Sequence, residues 1–209
     1  MRPISVLKLL SCAAAIQLGA GAALADDHDS PWQVRIRLID VAPDESSTTS
    51  IGGEAKVDSA VVPELDITYF WTDNWATELI LATTKHDVSA VGTALGDLSL
   101  GDTWVLPPTL TLQYHFAPDA AVSPYLGAGL NYTFFYNADS GDVDSIDYSN
   151  GFGLAAQAGI DFAVTDNWAL NLDVKKIWLN TDVEINGGAV TADVDLDPWV
   201  FGAGFTYRF

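Results

Sequence analysis

Nine ionisable side chains stand on stretches that otherwise alternate as strands with one apolar face: Arg35, Arg37, Glu64, Asp66, Glu78, Asp161, Asp173, Lys175 and Arg208. Each falls on the parity opposite the large apolar residues, as Arg35 and Arg37 do against Trp32, Val34, Ile36 and Leu38. Converging carboxylates and cations can pair with one another or line a path for ions. Charges of both signs enclosed in a narrow interior favour a paired structural network over a pore lining. The other reactive candidates are sparse. His86 and His115 have no nucleophile at a recognisable spacing, and His28 lies near the N-terminus. The run Asp139 to Asp147 offers oxygen ligands suited to calcium but lacks the ligand and glycine order of an EF-hand, so it reads as a solvated acidic loop. No catalytic, cofactor-binding or metal-binding residue is assigned, and no enzymatic activity is expected.

The elements that position these charges follow a processed N-terminus. Arg2 and Lys8, the apolar run to Leu24 and the end Ala23-Leu24-Ala25 describe a signal peptide over residues 1–25, leaving 26–209 as the mature domain. Cys12, the single cysteine, goes with the signal. The mature chain keeps all 28 acidic residues and seven of nine basic ones, a net charge of −21 that excludes nucleic-acid binding. No later stretch reaches the roughly 18 to 20 apolar residues of a membrane helix. An exported chain that is 49% hydrophobic is then either a soluble β-protein or an outer-membrane barrel.

Period-two alternation marks eight strands: 32–41, 60–71, 75–85, 104–116, 124–136, 151–164, 168–180 and 194–209. Short turns follow the second, fourth and sixth, with Thr72-Asp73-Asn74 repeated as Thr165-Asp166-Asn167. Long polar connections follow the first, third, fifth and seventh. An even strand count with loops sorted by length on alternate connections is the plan of an all-β, eight-stranded antiparallel transmembrane β-barrel, with short periplasmic turns and long extracellular loops. The aromatics agree. Trp32, Trp71, Trp75, Phe116, Tyr125, Phe162, Trp168, Tyr207 and Phe209 fall at the periplasmic rim, and Trp104, Tyr136, Phe152, Trp178 and Trp199 at the outer rim. All seven tryptophans thus lie in girdles, where an amphipathic ring sits between hydrocarbon and water. Inward glycines at 127, 129, 153, 159, 202 and 204 either leave a lumen or serve close strand packing and curvature.

Several segments resemble the OmpW family of outer-membrane proteins, which includes the alkane-uptake protein AlkL: Thr72-Asp73-Asn74, Leu106-Pro107-Pro108-Thr109-Leu110, 124–133 (PYLGAGLNYT), and 196–201 (LDPWVF) with the terminal Tyr207-Arg208-Phe209. The resemblance implies a monomeric barrel, integral to the bacterial outer membrane, that passes small apolar solutes inward and releases them sideways into the membrane. Pro107 and Pro108, unable to donate ladder hydrogen bonds, would then border an opening in the wall. The alternative is a structural or surface-interaction barrel whose lumen is plugged by charge. One departure bears on this choice. Val174-Lys175-Lys176-Ile177 stands where the family's apolar constriction leads one to expect an aromatic, which argues against a purely apolar, permanently open channel. Expected partners are membrane lipid, lipopolysaccharide (through divalent cations on the acidic loops) and the barrel assembly machinery, for which Phe209 would be the recognition signal.

Overall fold

The computed structural model describes residues 30–50, 52–94 and 96–209. The signal segment, Cys12 and His28 lie outside the described residues. Fourteen β-segments follow in order: β1 (Trp32–Ala42), β2 (Ser46–Thr49), β3 (Glu54–Val57), β4 (Ala60–Phe70), β5 (Trp75–Ala82), β6 (Thr84–Thr93), β7 (Gly96–Leu106), β8 (Thr109–His115), β9 (Val122–Tyr136), β10 (Ile146–Tyr148), β11 (Gly151–Ala163), β12 (Trp168–Ile185), β13 (Val190–Asp195) and β14 (Trp199–Arg208). Eight of them, β1, β4, β5, β8, β9, β11, β12 and β14, pair antiparallel in a ring. The ring closes where Gln33 meets Arg208 and Ala42 meets Trp199, which removes both sheet edges.

The repeated Thr-Asp-Asn-Trp turn explains the tight hairpins at one end. In the first copy Trp71 N donates to Trp75 O, Trp75 N to Thr72 Oγ1, and Asn74 Nδ2 to the His115 carbonyl. The second copy reproduces all three bonds, with Val164 N to Trp168 O, Trp168 N to Thr165 Oγ1, and Asn167 Nδ2 to the Arg208 carbonyl. Each asparagine therefore ties its turn to the end of the neighbouring strand.

At the other end the long connections contain strand rather than loop alone. Residues 42–59, 86–103, 137–150 and 181–193, polar connections by their Gly, Asp and Ser content, carry β2, β3, most of β6, much of β7, β10, the end of β12 and part of β13. These segments extend the wall upward as two sheets, β2-β13-β12-β10 and β3-β6-β7-β9. Their inward residues Ala55, Val88, Leu100, Ile146, Val183 and Val194 pack on one another, and this apolar contact stabilises a strand whose other face is charged.

All seven tryptophans face outward and are at least one-third exposed. Trp168 and Trp178, one in each girdle, are ten residues apart on β12, the length of a tilted strand that crosses a bilayer. Tyr125 departs from the expected girdle. It is 1% exposed and turned into the barrel, where its ring stacks on His115 at 4.9 Å. Its partner residue across the sheet is Gly159, and a Cβ there would lie 2.3 Å from the Tyr125 ring. That glycine serves close packing rather than an open lumen.

Candidate functional site: an apolar cavity above a charged floor

The inward rows of the barrel change character at one level. Below it, β1 contributes Arg35 and Arg37, β4 Glu64 and Asp66, β5 Glu78, β11 Gln157 and Asp161, and β12 Asn171, Asp173 and Lys175, all buried or nearly so. Arg35 and Asp66 face each other across the sheet, as do Arg37 and Glu64. Space for the long guanidinium groups comes from the small inward residues of the flanking strand, Thr206 opposite Arg35 and Gly204 opposite Arg37.

Eight of the nine charges singled out in the sequence form one connected floor. Arg35 pairs with Glu78 and, at 2.8 Å, with Asp161. Arg37 reaches Glu64 at 2.9 Å, Asp66 at 2.7 Å, Asp173 at 3.3 Å and Glu78 at 3.4 Å. Lys175 bridges Glu64 and Asp173, each at 2.9 Å. Neutral groups hold the carboxylates from behind: Gln157 Nε2 donates to Glu78 and Asp173, Tyr125 OH to Asp173, and Thr68 to Glu78. Arg208 stays apart. It is partly exposed at the turn end, stacks over Phe70 at 4.5 Å and makes no ion pair with a described carboxylate. Tyr125, Gln157, Asn171 and Thr68 were legible as inward by parity, but only the closed ring shows that they converge on the same ions.

Above the floor the same rows turn aliphatic: Ile39 follows Arg37, Ile80 follows Glu78, and Ile177 follows Lys175. They line a cavity of about 120 Å³ that begins at Glu64 and Lys175 and rises to Ile185, Val190 and Ala192 in the extended sheets. This is of the same order as the roughly 150 Å³ cavity that admits benzene in an apolar protein interior. Threonines in the lining are committed to the wall, Thr181 donating to the Ser149 carbonyl, Thr109 to that of Pro107, and Thr133 to Asn131 Oδ1. His86, just above the outer girdle, has Nδ1 2.7 Å from the Asp58 carbonyl and Nε2 2.9 Å from Thr84 Oγ1. Burial holds its imidazole pKa below the usual value. A neutral ring donating from Nδ1 and accepting at Nε2 satisfies both contacts.

The wall of this cavity is interrupted at Pro107 and Pro108. Pairing between β5 and β8 ends at Ile80 with Thr109 and resumes between β6 and β7 at Thr84 with Val105. Residues 81–83 and 106–108 thus face each other with no ladder between them, although Leu81 and Ala82 still pair with β4 and Leu106 with β9. The prolines are held from their other side, where Tyr132 N donates to the Pro108 carbonyl and Asn131 Nδ2 to that of Pro107. Ala82, Val105 and Pro107, at the edges of the break, also line the cavity. A second proline, Pro198, interrupts β13 and β14 but leaves no comparable gap. There Ile177 N donates to the Pro198 carbonyl, Leu196 N to Leu179 O, and Leu179 N to Asp197 Oδ1.

These features have counterparts among known proteins. The OmpW family profile matches residues 29–209. An uncharacterized outer-membrane protein, y4mB, of Sinorhizobium fredii is 45% identical over 86% of this chain and 80% of its own length. The dibenzothiophene metabolism operon protein PahQ of Pseudomonas aeruginosa is 31% identical over 82% of this chain and 85% of its own. The crystal structure of the outer-membrane protein OprG from Pseudomonas aeruginosa superposes with a TM-score of 0.80 at 33% identity, covering 85% of this chain and 95% of that one. With its closed antiparallel ring, aromatic girdles and matching profile, the chain belongs to the OmpW family and is an integral β-barrel of the outer membrane of Gram-negative bacteria.

Proposed function

We propose that the protein takes up small hydrophobic molecules passively across the outer membrane and releases them sideways through the wall beside Pro107 and Pro108. The observation that carries this reading is one cavity with three boundaries: aliphatic walls, a charged floor, and a break in the wall at Pro107. An apolar solute entering from outside gains by leaving water. It meets a floor whose ions are already paired, and displacing them costs far more than a small solute returns. The remaining exit leads through the break into lipid, downhill for the same hydrophobic reason. The relative named for a dibenzothiophene operon, dibenzothiophene being an apolar tricycle, points to the same class of solute.

The test is reconstitution into liposomes with a membrane-partitioning fluorescent probe added outside. Faster arrival in the bilayer than in protein-free liposomes supports uptake. Equal rates leave the second reading, a structural or surface-interaction barrel, for which the charge-filled lower lumen is the supporting observation.

Phe209, exposed at the end of β14 with its amide donated to the Trp32 carbonyl, is proposed as the signal read by the assembly machinery. Deleting it should lower the yield of heat-modifiable barrel while inserted molecules keep normal uptake. Unchanged yield would refute that role. Divalent bridging of the acidic loops to lipopolysaccharide is likewise proposed, with loss of thermal stability on chelation as its check.

A further inference from the structure

The break at Pro107 and Pro108 is crossed on its outward side by side chains instead of backbone. Thr83 lies in the one-residue interval between β5 and β6, exposed on the outer surface. Tyr136 ends β9, two strands away, and is paired with Trp104 of β7. The Tyr136 hydroxyl reaches across β7 to within 2.7 Å of Thr83 Oγ1. The Thr83 hydroxyl in turn donates to the Val105 carbonyl at 3.3 Å. With its single proton used there, Thr83 accepts from Tyr136.

We infer that Thr83 and Tyr136 form a latch that sets how often the wall break opens, a regulation of the exit that rests on the uptake reading above. Three observations converge on this pair. The backbone ladder is absent between 81–83 and 106–108, and the described hydrogen bonds from Thr83 across this side of the wall are those of its hydroxyl, to the Val105 carbonyl at the edge of the break and with Tyr136. Ala82 and Pro107, immediately behind the latch, line the apolar cavity. Tyr136 belongs to the outer aromatic girdle, where headgroups and water compete for a hydroxyl, so the bond breaks and re-forms instead of sealing the wall. A break spanned only by the two neutral bonds of the Thr83 hydroxyl is held closed weakly, whereas the Pro198 break, stitched by backbone, stays shut.

The experiment uses the full chain in lipid bilayers and the variants Tyr136→Phe and Thr83→Val, each of which removes the bond with little change of shape. A matched control is Thr77→Val, which removes the outward bond from Trp71 Nε1 to Thr77 Oγ1 at 2.8 Å on a fully paired stretch of wall. Two quantities are read: amide hydrogen exchange in peptides covering 81–84 and 104–107, and arrival of an apolar fluorescent probe in the bilayer. Loss of one neutral hydrogen bond should raise both by about two- to tenfold in Tyr136→Phe; Thr83→Val, which also loses the bond to the Val105 carbonyl, should raise them at least as much, and Thr77→Val should raise neither. Exchange unchanged in both variants, or raised equally in the control, overturns the latch. Faster exchange with no probe uptake by any form, wild type included, upholds the latch and refutes the uptake reading.

Discussion

The lower and upper halves of the barrel interior are built from the same strands and the same inward parity, yet they do opposite things. On β1 the inward row runs Arg35, Arg37, Ile39 and Val41; on β12 it runs Asn171, Asp173, Lys175, Ile177 and Leu179. The switch from ionic to aliphatic falls at the same level on both, and β5 repeats it between Glu78 and Ile80. Five carboxylates and three cations fill the lower half with groups that pair with one another. The upper half offers no such partners and keeps a cavity. A narrow barrel can thus be both a closed plug and a receptacle, because side-chain chemistry at each level, not strand number, decides what the interior excludes.

The most severe way to break this contrast is to remove a cation from the floor. Arg37→Met should leave Glu64, Asp66 and Asp173 short of their shared partner and destabilise the barrel by about 3–5 kcal/mol. Loss of the heat-modifiable gel shift at a lower temperature would register it; an unchanged shift would mean that the floor is not a cohesive network.

A smaller effect is expected from filling the upper half. Ala90→Phe places a ring against the buried extracellular cluster at a cost of about 1–3 kcal/mol. Probe uptake should fall several-fold while the floor, and hence resistance to ion leak, stays intact. Uptake at the wild-type rate would move the solute path away from the cavity.

Smaller still in stability, though sharper in function, is the paired exchange of prolines. Pro107→Ala with Pro108→Ala restores two backbone donors opposite 81–83, and about 0.5–1.5 kcal/mol per bond formed should favour the closed wall and slow uptake. Pro198→Ala, at a break already bridged, should leave uptake unchanged.

The smallest expected effect is the response to acid near His86. Its lowered pKa means that the fold favours the neutral ring, so this contribution is present above the unfolded value of about 6.5 and is lost as pH falls below it. Amide protection around Asp58 and Thr84, corrected for the slower intrinsic exchange at low pH, should fall between pH 7 and pH 5, and His86→Gln should flatten that dependence.

Much of this was legible in the sequence. Alternation located the eight ring strands, and tryptophan placement oriented them, because a period of two and an interfacial ring are local signals. The inward parity of Arg35, Glu78 and Lys175 could likewise be read directly. What could not be read is which charges meet, since Arg35 and Asp161 are 126 residues apart and are joined only by closing the ring. Tyr125 has inward parity, yet an aromatic at a strand end also suits a girdle; Gly159 across the sheet decides for the core and against the girdle place. The extracellular strands were hidden by their polar outward faces and glycine-rich tips. Their inward residues Val88, Ala90, Leu98 and Leu100 alternate faintly, and only packing against β12 and β13 gives that alternation meaning.

The proposed uptake route takes apolar solutes out through the wall and not through the floor. It is tested most directly in liposomes by measuring, in one preparation, ion conductance together with probe arrival in the bilayer and in the aqueous interior. Exit through the wall predicts no appreciable conductance, rapid arrival in the bilayer for the wild type, and slowed arrival for the Pro107→Ala and Pro108→Ala double variant. Probe appearing first in the aqueous interior alongside ion conductance, with the proline variant unaffected, would contradict it.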